Sequence, residues 1–316
     1  MILRVAKIFT FVLLFLFFVS PNAIAYEIVN YSNMDVRNDI VLSPPRWEVE
    51  ASPGDETVKV ITVANRTGKT QNFKVEVEDF TGTYNLEDPI KFYGEGTSPF
   101  SAKGWIKPEV DKFTLKHGDE IRFKVFVSVP ENAEPGGKYG AVFVATIPQK
   151  SENVDTISIV SRIGSLFLIK VKGDVLEKGY LTDFSSDKSI YFTNNPIKFS
   201  FVFINKGNVH LKPKGFIEIY NLIGSKVDVV NVDDYFVLPD SARKREVFWT
   251  PKLAFGKYTA NLILEHQEGD NTVTETKKIS FFVIPFNILA IIGGVLILIY
   301  ILWRFVFSKI QITFKK

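Results

Sequence analysis

The stretch GKYGAVFVA occupies residues 137–145, and GKYTANLIL occupies residues 256–264, about 120 residues later. Both run from Gly-Lys-Tyr into small and apolar residues. The sequence before each copy also keeps one order. A strand-like run ends at Asn65 or Asn205, next to a Gly turn at Gly68 or Gly207. An aromatic-x-Leu triplet follows, Phe113-Thr114-Leu115 or Phe236-Val237-Leu238, and then Gly-Lys-Tyr. Two copies of one plan with different insertions account for this order. In that plan the Gly makes a tight turn, and the Tyr buries its ring while its hydroxyl meets a backbone partner near a sheet corner. Tyr139 and Tyr258 are therefore read as structural.

The plan is a β-sandwich, because the period around the repeat is two. Phe73, Val75 and Val77 alternate with Lys74, Glu76 and Glu78, and Ile121, Phe123, Val125 and Val127 alternate with Arg122, Lys124, Phe126 and Ser128. Half-buried antiparallel strands give this pattern. Turn pairs such as Pro53-Gly54, His117-Gly118 and Ile223-Gly224 punctuate it, and no long amphipathic helical stripe lies between residues 26 and 283. The expected fold class is all-β: two tandem Ig-like sandwiches, residues 38–173 and 174–283, followed by one C-terminal transmembrane helix. Strands are expected at 40–50, 57–64, 71–80, 120–129, 138–147 and 156–171, then at 197–205, 215–221, 226–230, 243–249, 258–266 and 272–283.

The two ends read as membrane-targeting segments. Residues 1–25 hold Arg4 and Lys7, an apolar run and the closing Ala23-Ile24-Ala25, which is the pattern of a signal peptide cleaved before Tyr26. An uncleaved anchor is the other reading. Residues 284–307, IPFNILAIIGGVLILIYILWRFVF, are long and apolar enough for a bilayer core, with Tyr300 and Trp303 at interfacial positions. The tail 308–316 is short and basic, so the positive-inside rule places it in the cytoplasm and both sandwiches outside. The expected location is the cell membrane, single-pass type I.

Charge and composition narrow the function. Of the 38 basic side chains, two lie in the leader and four in the span and tail. None of the 35 acids does, so residues 26–283 carry a net −3. The exported part is no basic nucleic-acid binder. It has no cysteine, so a secreted fold must rest on core burial. The three histidines, His117, His210 and His266, lack a partner at metal-ligand spacing, and Asp233-Asp234 reads as a solvated pair rather than a calcium site. No nucleophile elbow, phosphate loop or dinucleotide fingerprint occurs. No catalytic residue, metal or cofactor is therefore assigned, and the expected class is non-enzymatic.

The candidate binding element is the loop 81–104, TGTYNLEDPIKFYGEGTSPFSAKG, with Trp105 at its end. It is long for a sandwich connection and carries Tyr84, Phe92, Tyr93 and Phe100. Long structured loops are often functional, and aromatics give contact area at small entropic cost. These rings either meet a partner or fold back onto the core.

Leu42-Ser43-Pro44-Pro45-Arg46-Trp47-Glu48, Ser52-Pro53-Gly54, Glu78-Asp79-Phe80 and Val129-Pro130 resemble the first domain of the WxL-interacting family of bacterial surface proteins. Asn205-Lys206-Gly207-Asn208-Val209 and Pro213-x-Gly215 resemble that family's membrane-proximal Ig-like domain. The resemblance implies a membrane-anchored envelope protein that binds peptidoglycan or another surface protein. The first domain is also similar to the N-terminal domain of pilus-type periplasmic chaperones. That similarity implies an alternative: an assembly factor acting by β-strand addition.

Overall fold

The computed structural model describes residues 26–31, 33–148, 160–192, 195–251, 255–284 and 286–307. The signal-peptide segment and the basic tail 308–316 lie outside the described residues, as do residues 156–159 of one expected strand. The chain forms two compact units. The first takes in most of the chain up to Val171. The second comprises Thr81–Lys91, Pro135–Gly137 and everything from Lys172.

In the first unit, one sheet is built on β4 (Glu56–Asn65) and β9 (Asp119–Ser128), paired antiparallel through Val63–Ile121 and Ile61–Phe123. β2 (Ile40–Ser43) lines the far side of β4. β1 (Glu27–Asn30) and β7 (Ile106–Pro108) share the outer edge of β9. The facing sheet runs β3 (Arg46–Ala51), β11 (Arg162–Val171), β10 (Gly136–Ile147), β5 (Gln71–Gly82), with β6 (Ile90–Phe92) and β8 (Lys112–Leu115) alongside β5. The alternating side chains do what their period requires. Ile121, Phe123, Val125 and Val127 are at most 1% exposed, and Phe73, Val142, Val144, Phe167 and Ile169 meet them from the other sheet. The expected strand 40–50 is two strands: Pro44-Pro45 supplies no N–H for a ladder, and the halves β2 and β3 lie in different sheets.

The second unit repeats this topology. β12 (Gly179–Ser186), β14 (Ile197–Asn205) and β17 (Ser241–Trp249) form one sheet. β13 (Ile190–Tyr191), β19 (Asn271–Val283), β18 (Gly256–Glu268), β15 (Lys214–Asn221) and β16 (Lys226–Asn231) form the other. Each strand of the second unit has a counterpart in the first: β12-β14-β17 corresponds to β2-β4-β9, and β13-β19-β18-β15-β16 to β3-β11-β10-β5-β6, while β1, β7 and β8 have none among the described residues. Even the rarer parallel pair recurs, β3 beside β11 and β13 beside β19. The core is aromatic, with Phe199, Phe201, Phe203 and Phe281 all fully buried.

The repeated asparagines fix the same corner twice. Asn65 is fully buried, and its Nδ2 donates to the carbonyls of Lys69 (2.8 Å) and Leu115 (2.9 Å). Its Oδ1 accepts from the amide of Thr67 (3.0 Å). Asn205, also buried, donates to the carbonyls of Val209 and Val237 (both 2.8 Å) and accepts from the amide of Gly207 (2.8 Å). In both units one amide side chain ties the end of a strand to the aromatic-x-Leu segment. It satisfies backbone groups that would otherwise be buried and unpaired. The repeated tyrosines point inward. Tyr139 is fully buried against Phe80 and Phe100, and the hydroxyl of the 8%-exposed Tyr258 accepts from the Phe255 amide at 3.3 Å.

Gly215 lies on β15 opposite Leu264 of the antiparallel β18, and a Cβ there would lie 1.9 Å from the carbonyl oxygen of Ile263. Gly215→Ala must push the two strands apart, at about 2 to 3 kcal/mol, the range for overpacking. Hydrogen exchange in the full-length protein should show lost protection along β15 and β18 while β4 and β9 keep theirs.

After Val283 the chain enters α1 (Phe286–Phe307), a 22-residue helix. At 1.5 Å per residue it is about 33 Å long. Residues 295–300 are each about half exposed or more, so the apolar side chains are uncovered all round the helix. Among the described residues no helix is long and apolar enough to cross a membrane.

Candidate functional site

The loop 81–104 is a built structure, and an acid in a core position builds it. Along β5 the inward positions run Phe73, Val75, Val77 and then Asp79. Asp79 is fully buried. Its Oδ2 accepts from the Ser98 amide (3.1 Å), and its Oδ1 accepts from the amides of Ala102 (3.1 Å) and Lys103 (2.9 Å). Its own carbonyl accepts from the Tyr93 amide (3.0 Å). Lys103 Nζ then closes the loop on the carbonyl of Gly94 (3.1 Å). A buried carboxylate is tolerated where several donors converge on it. Sequence reading missed Asp79. The available signal was an acid at the parity of three apolar residues.

This framework decides where the candidate rings lie. In the first unit Phe100 meets Tyr139 edge-on at 6.1 Å. Trp105 ends a one-turn 3-10 helix (Lys103–Trp105) and packs against the core, and Tyr93 is half-buried in a turn closed by the Gly96 amide. Phe92 touches Phe80 (5.9 Å) and Phe143 (5.1 Å) yet stays 40% exposed. Tyr84 belongs to the second unit, so the candidate residues do not form one cluster. Its hydroxyl donates to Asp240 Oδ1 (2.7 Å), and Lys206 Nζ lies over its ring at 4.6 Å and contacts both its hydroxyl and Asp240. The hydrogen bonds from Tyr84 and Lys206 hold the Asp240 carboxyl below its usual range. Partial burial pushes the Tyr84 phenol up, the largest of several opposing influences on it. Leu86, beyond Tyr84, is 37% exposed. The apolar surface the loop leaves open is therefore Phe92 in the first unit and Tyr84 with Leu86 in the second.

Replacing Asp79 with Ala strands three backbone donors in the interior. At about 1 to 3 kcal/mol for each unsatisfied group, with partial relaxation, the loss should be about 3 kcal/mol. Peptides covering residues 93–105 should lose exchange protection first, and Asp79→Asn, which keeps one acceptor oxygen, should recover part of it.

A second feature is a bare strand edge. β17 pairs with β14 from Ser241 through Trp249 without a register break. The opposite edge of β9, its counterpart, is covered by β1 and β7. Among the described residues, the Ala242 amide of β17 is the one that donates along this edge, to the Thr83 carbonyl at 3.1 Å. Backbone groups two residues apart face the same edge, so those of Lys244, Glu246 and Phe248 point outward with no strand beside them among the described residues. The side chains of Lys244 and Glu246 are charged and paired with each other (3.4 Å), which is how exposed edges are protected from adventitious pairing.

His117 and His266 have local partners. His117 Nδ1 accepts from the Gly68 amide (3.3 Å), so Nε2 carries the proton and donates to the Met34 carbonyl (2.9 Å). His266 is buried, with Nε2 3.3 Å from Glu275. Among the described residues no group of His, Asp and Glu is placed to hold a metal.

The sheet topology thus defines an all-β protein of two immunoglobulin-type sandwiches. No family model matches the chain, and no curated protein matches it. Among solved structures it is similar to the class 5 fimbriae chaperone CfaA, with 14% identity, a TM-score of 0.37, and 76% of this chain and 99% of that one covered. It is also similar to the E. coli chaperone DraB, at 16% identity and a TM-score of 0.33, over 77% of this chain and 96% of that one. The Pseudomonas aeruginosa CupB2 chaperone stands at 10% identity and a TM-score of 0.33, over 75% and 99%. These likenesses are too loose to assign an activity.

Proposed function

We propose that this chain is a membrane-anchored, non-enzymatic protein of the cell envelope. Its Ig-type sandwiches would bind peptidoglycan or another surface protein outside the membrane, as the resemblance to WxL-interacting proteins implies. One observation carries the reading: the last strand of the second sandwich ends at Val283, and a 22-residue apolar helix begins at Phe286. As a sequence, residues 284–307 are long and apolar enough for a hydrocarbon core, and the exposed apolar side chains of residues 290–305 favour a nonaqueous environment. The signal-peptide pattern and the all-basic tail support an outward orientation. Phe92, Tyr84 and Leu86 are the contact residues this reading assigns.

The bare edge of β17 favours one second reading, a chaperone-like factor that takes up a strand from its client. One experiment separates the two. Full-length protein in lipid nanodiscs is incubated with purified peptidoglycan and, separately, with envelope extract. The main reading expects retention that falls in the Phe92→Ala and Leu86→Ser variants and is unchanged in Glu246→Pro. Proline at 246 removes an outward-facing donor without breaking a bond to β14, so it blocks strand addition specifically. Loss of retention in Glu246→Pro alone would establish the second reading. No retention on either material would reject both.

A further inference from the structure

The end of the second sandwich that leads into α1 is apolar in a way its core does not require. Register places six exposed residues there. Phe282 is the penultimate residue of β19 and is 44% exposed. Phe255 precedes Gly256, which pairs with Val283, and is 56% exposed. Phe192 follows Tyr191, also paired with Val283, and Phe248 precedes the end of β17. They are 47% and 57% exposed. Leu222 and Ile223 form the tip of the β15–β16 hairpin, whose base Asn221 pairs with Tyr258, and they are 73% and 83% exposed.

The tip is ordered. Asn221 Oδ1 accepts from the amides of Ile223 (3.1 Å) and Ser225 (2.9 Å), its carbonyl accepts from the Gly224 amide (3.0 Å), and Gly224 adopts a φ of 81°. Such turns ordinarily carry polar residues at their tips. This one holds two aliphatic side chains clear of the sheet. Lys188 and Lys257 are exposed at the same end. By contrast, the hairpin at the other end of β18 and β19 turns through Gly269 and Asp270.

We propose that this end of the sandwich is seated in the interfacial layer of the bilayer that α1 enters. Leu222 and Ile223 lie among the lipid headgroups, the phenylalanines lie at the boundary, and the lysines face anionic phosphates. The proposal rests on reading α1 as a membrane span. Its support is chain continuity: Val283 and Phe286 are three residues apart, at most about 10 Å of extended chain, so the rim cannot stand far from the helix end. Exposed aromatic and aliphatic side chains with flanking lysines are what an interface accommodates and water does not.

The chain has no cysteine, which permits single labels. Full-length Ile223→Cys, Asp270→Cys and Val295→Cys proteins would each carry an environment-sensitive fluorophore in nanodiscs of phosphatidylethanolamine and phosphatidylglycerol. Spin-labelled lipids would serve as shallow or deep quenchers. The expected result is blue-shifted emission at 223, quenched more by the shallow label than the deep one. Position 270 should emit as in water, and position 295 should be quenched by the deep label. Quenching at 295 with none at 223 would overturn the interfacial seat while leaving the span intact. A blue shift at 223 without lipid quenching, which a second copy of the chain would give, overturns it too. No quenching at 295 would remove the span, and the proposal with it.

Discussion

Phe281→Ala should cost the second sandwich about 3 to 5 kcal/mol, the range for deleting a fully buried phenylalanine. The ring is completely enclosed. It extends from β19 to meet Tyr191 (5.9 Å) and Tyr258 (6.0 Å) within its own sheet system. Across the core it meets Phe199 (5.6 Å) and Trp249 (5.9 Å) on the opposite sheet. Removing it opens a cavity where the two sheets touch, and four aromatic neighbours locked in strands can collapse only partly into it. A loss of that size is a large fraction of the stability of an ordinary domain. Denaturant-dependent hydrogen exchange on the full-length protein should show β14, β18 and β19 opening together at lower denaturant. The β4–β9 ladder of the first sandwich should remain as in the parent.

The second large effect is expected at Asn205. Asparagine donates to two carbonyls and accepts from one amide, so both ends of its side chain are used. Asn205→Asp keeps the acceptor but removes both donors, leaving a buried carboxylate oxygen against two carbonyl oxygens. Two unsatisfied acceptors at about 1 to 3 kcal/mol each, with the burial of a charge added, put the loss at about 4 kcal/mol or more near neutral pH. The pH dependence has a definite sign. Burial against carbonyls raises the new carboxyl above its unfolded value. The protonated form, which restores one donor, is therefore favoured in the fold. The variant should be more stable in mild acid and lose that stability as pH rises through the raised value. Asn205→Ala should be destabilised without this recovery. Asn65→Asp should show the same direction of pH dependence in the first sandwich, weakened because the Thr67 hydroxyl also donates to its Oδ1 (2.7 Å).

These two residues also show what was legible in the sequence. Asn205 and Asn65 were visible because the same residue recurred before the same turn and triplet. Two copies constrain each other, so the strand order of one sandwich predicts that of the other. The core of β9 was visible because β9 keeps its period without interruption. β12 was not visible: the register shifts between Leu181 and Asp183, so its buried residues Leu181 and Phe184 stand three apart and break the period of two that marks a strand. β1, β6, β7, β8 and β13 are two to four residues long, too short for periodicity to register. In the loop, sequence could count aromatic rings but not say which way they faced. Asp79 decides that by gathering amides from residues 98, 102 and 103, and such convergence exists only in three dimensions. The open edge of β17 was invisible for the same reason. An edge is defined by which strands fail to come alongside, and no local pattern records it.

On the proposed reading, the two sandwiches stand outside the membrane on a C-terminal anchor. The most direct test is thiol labelling of intact cells expressing single-cysteine, full-length protein. Asp270 lies in the exposed β18–β19 hairpin, and Lys316 lies in the basic segment after α1. With a membrane-impermeant maleimide, Asp270→Cys should be labelled on intact cells, while Lys316→Cys should be labelled only after permeabilisation. Labelling of Lys316→Cys on intact cells with Asp270→Cys protected would contradict the account.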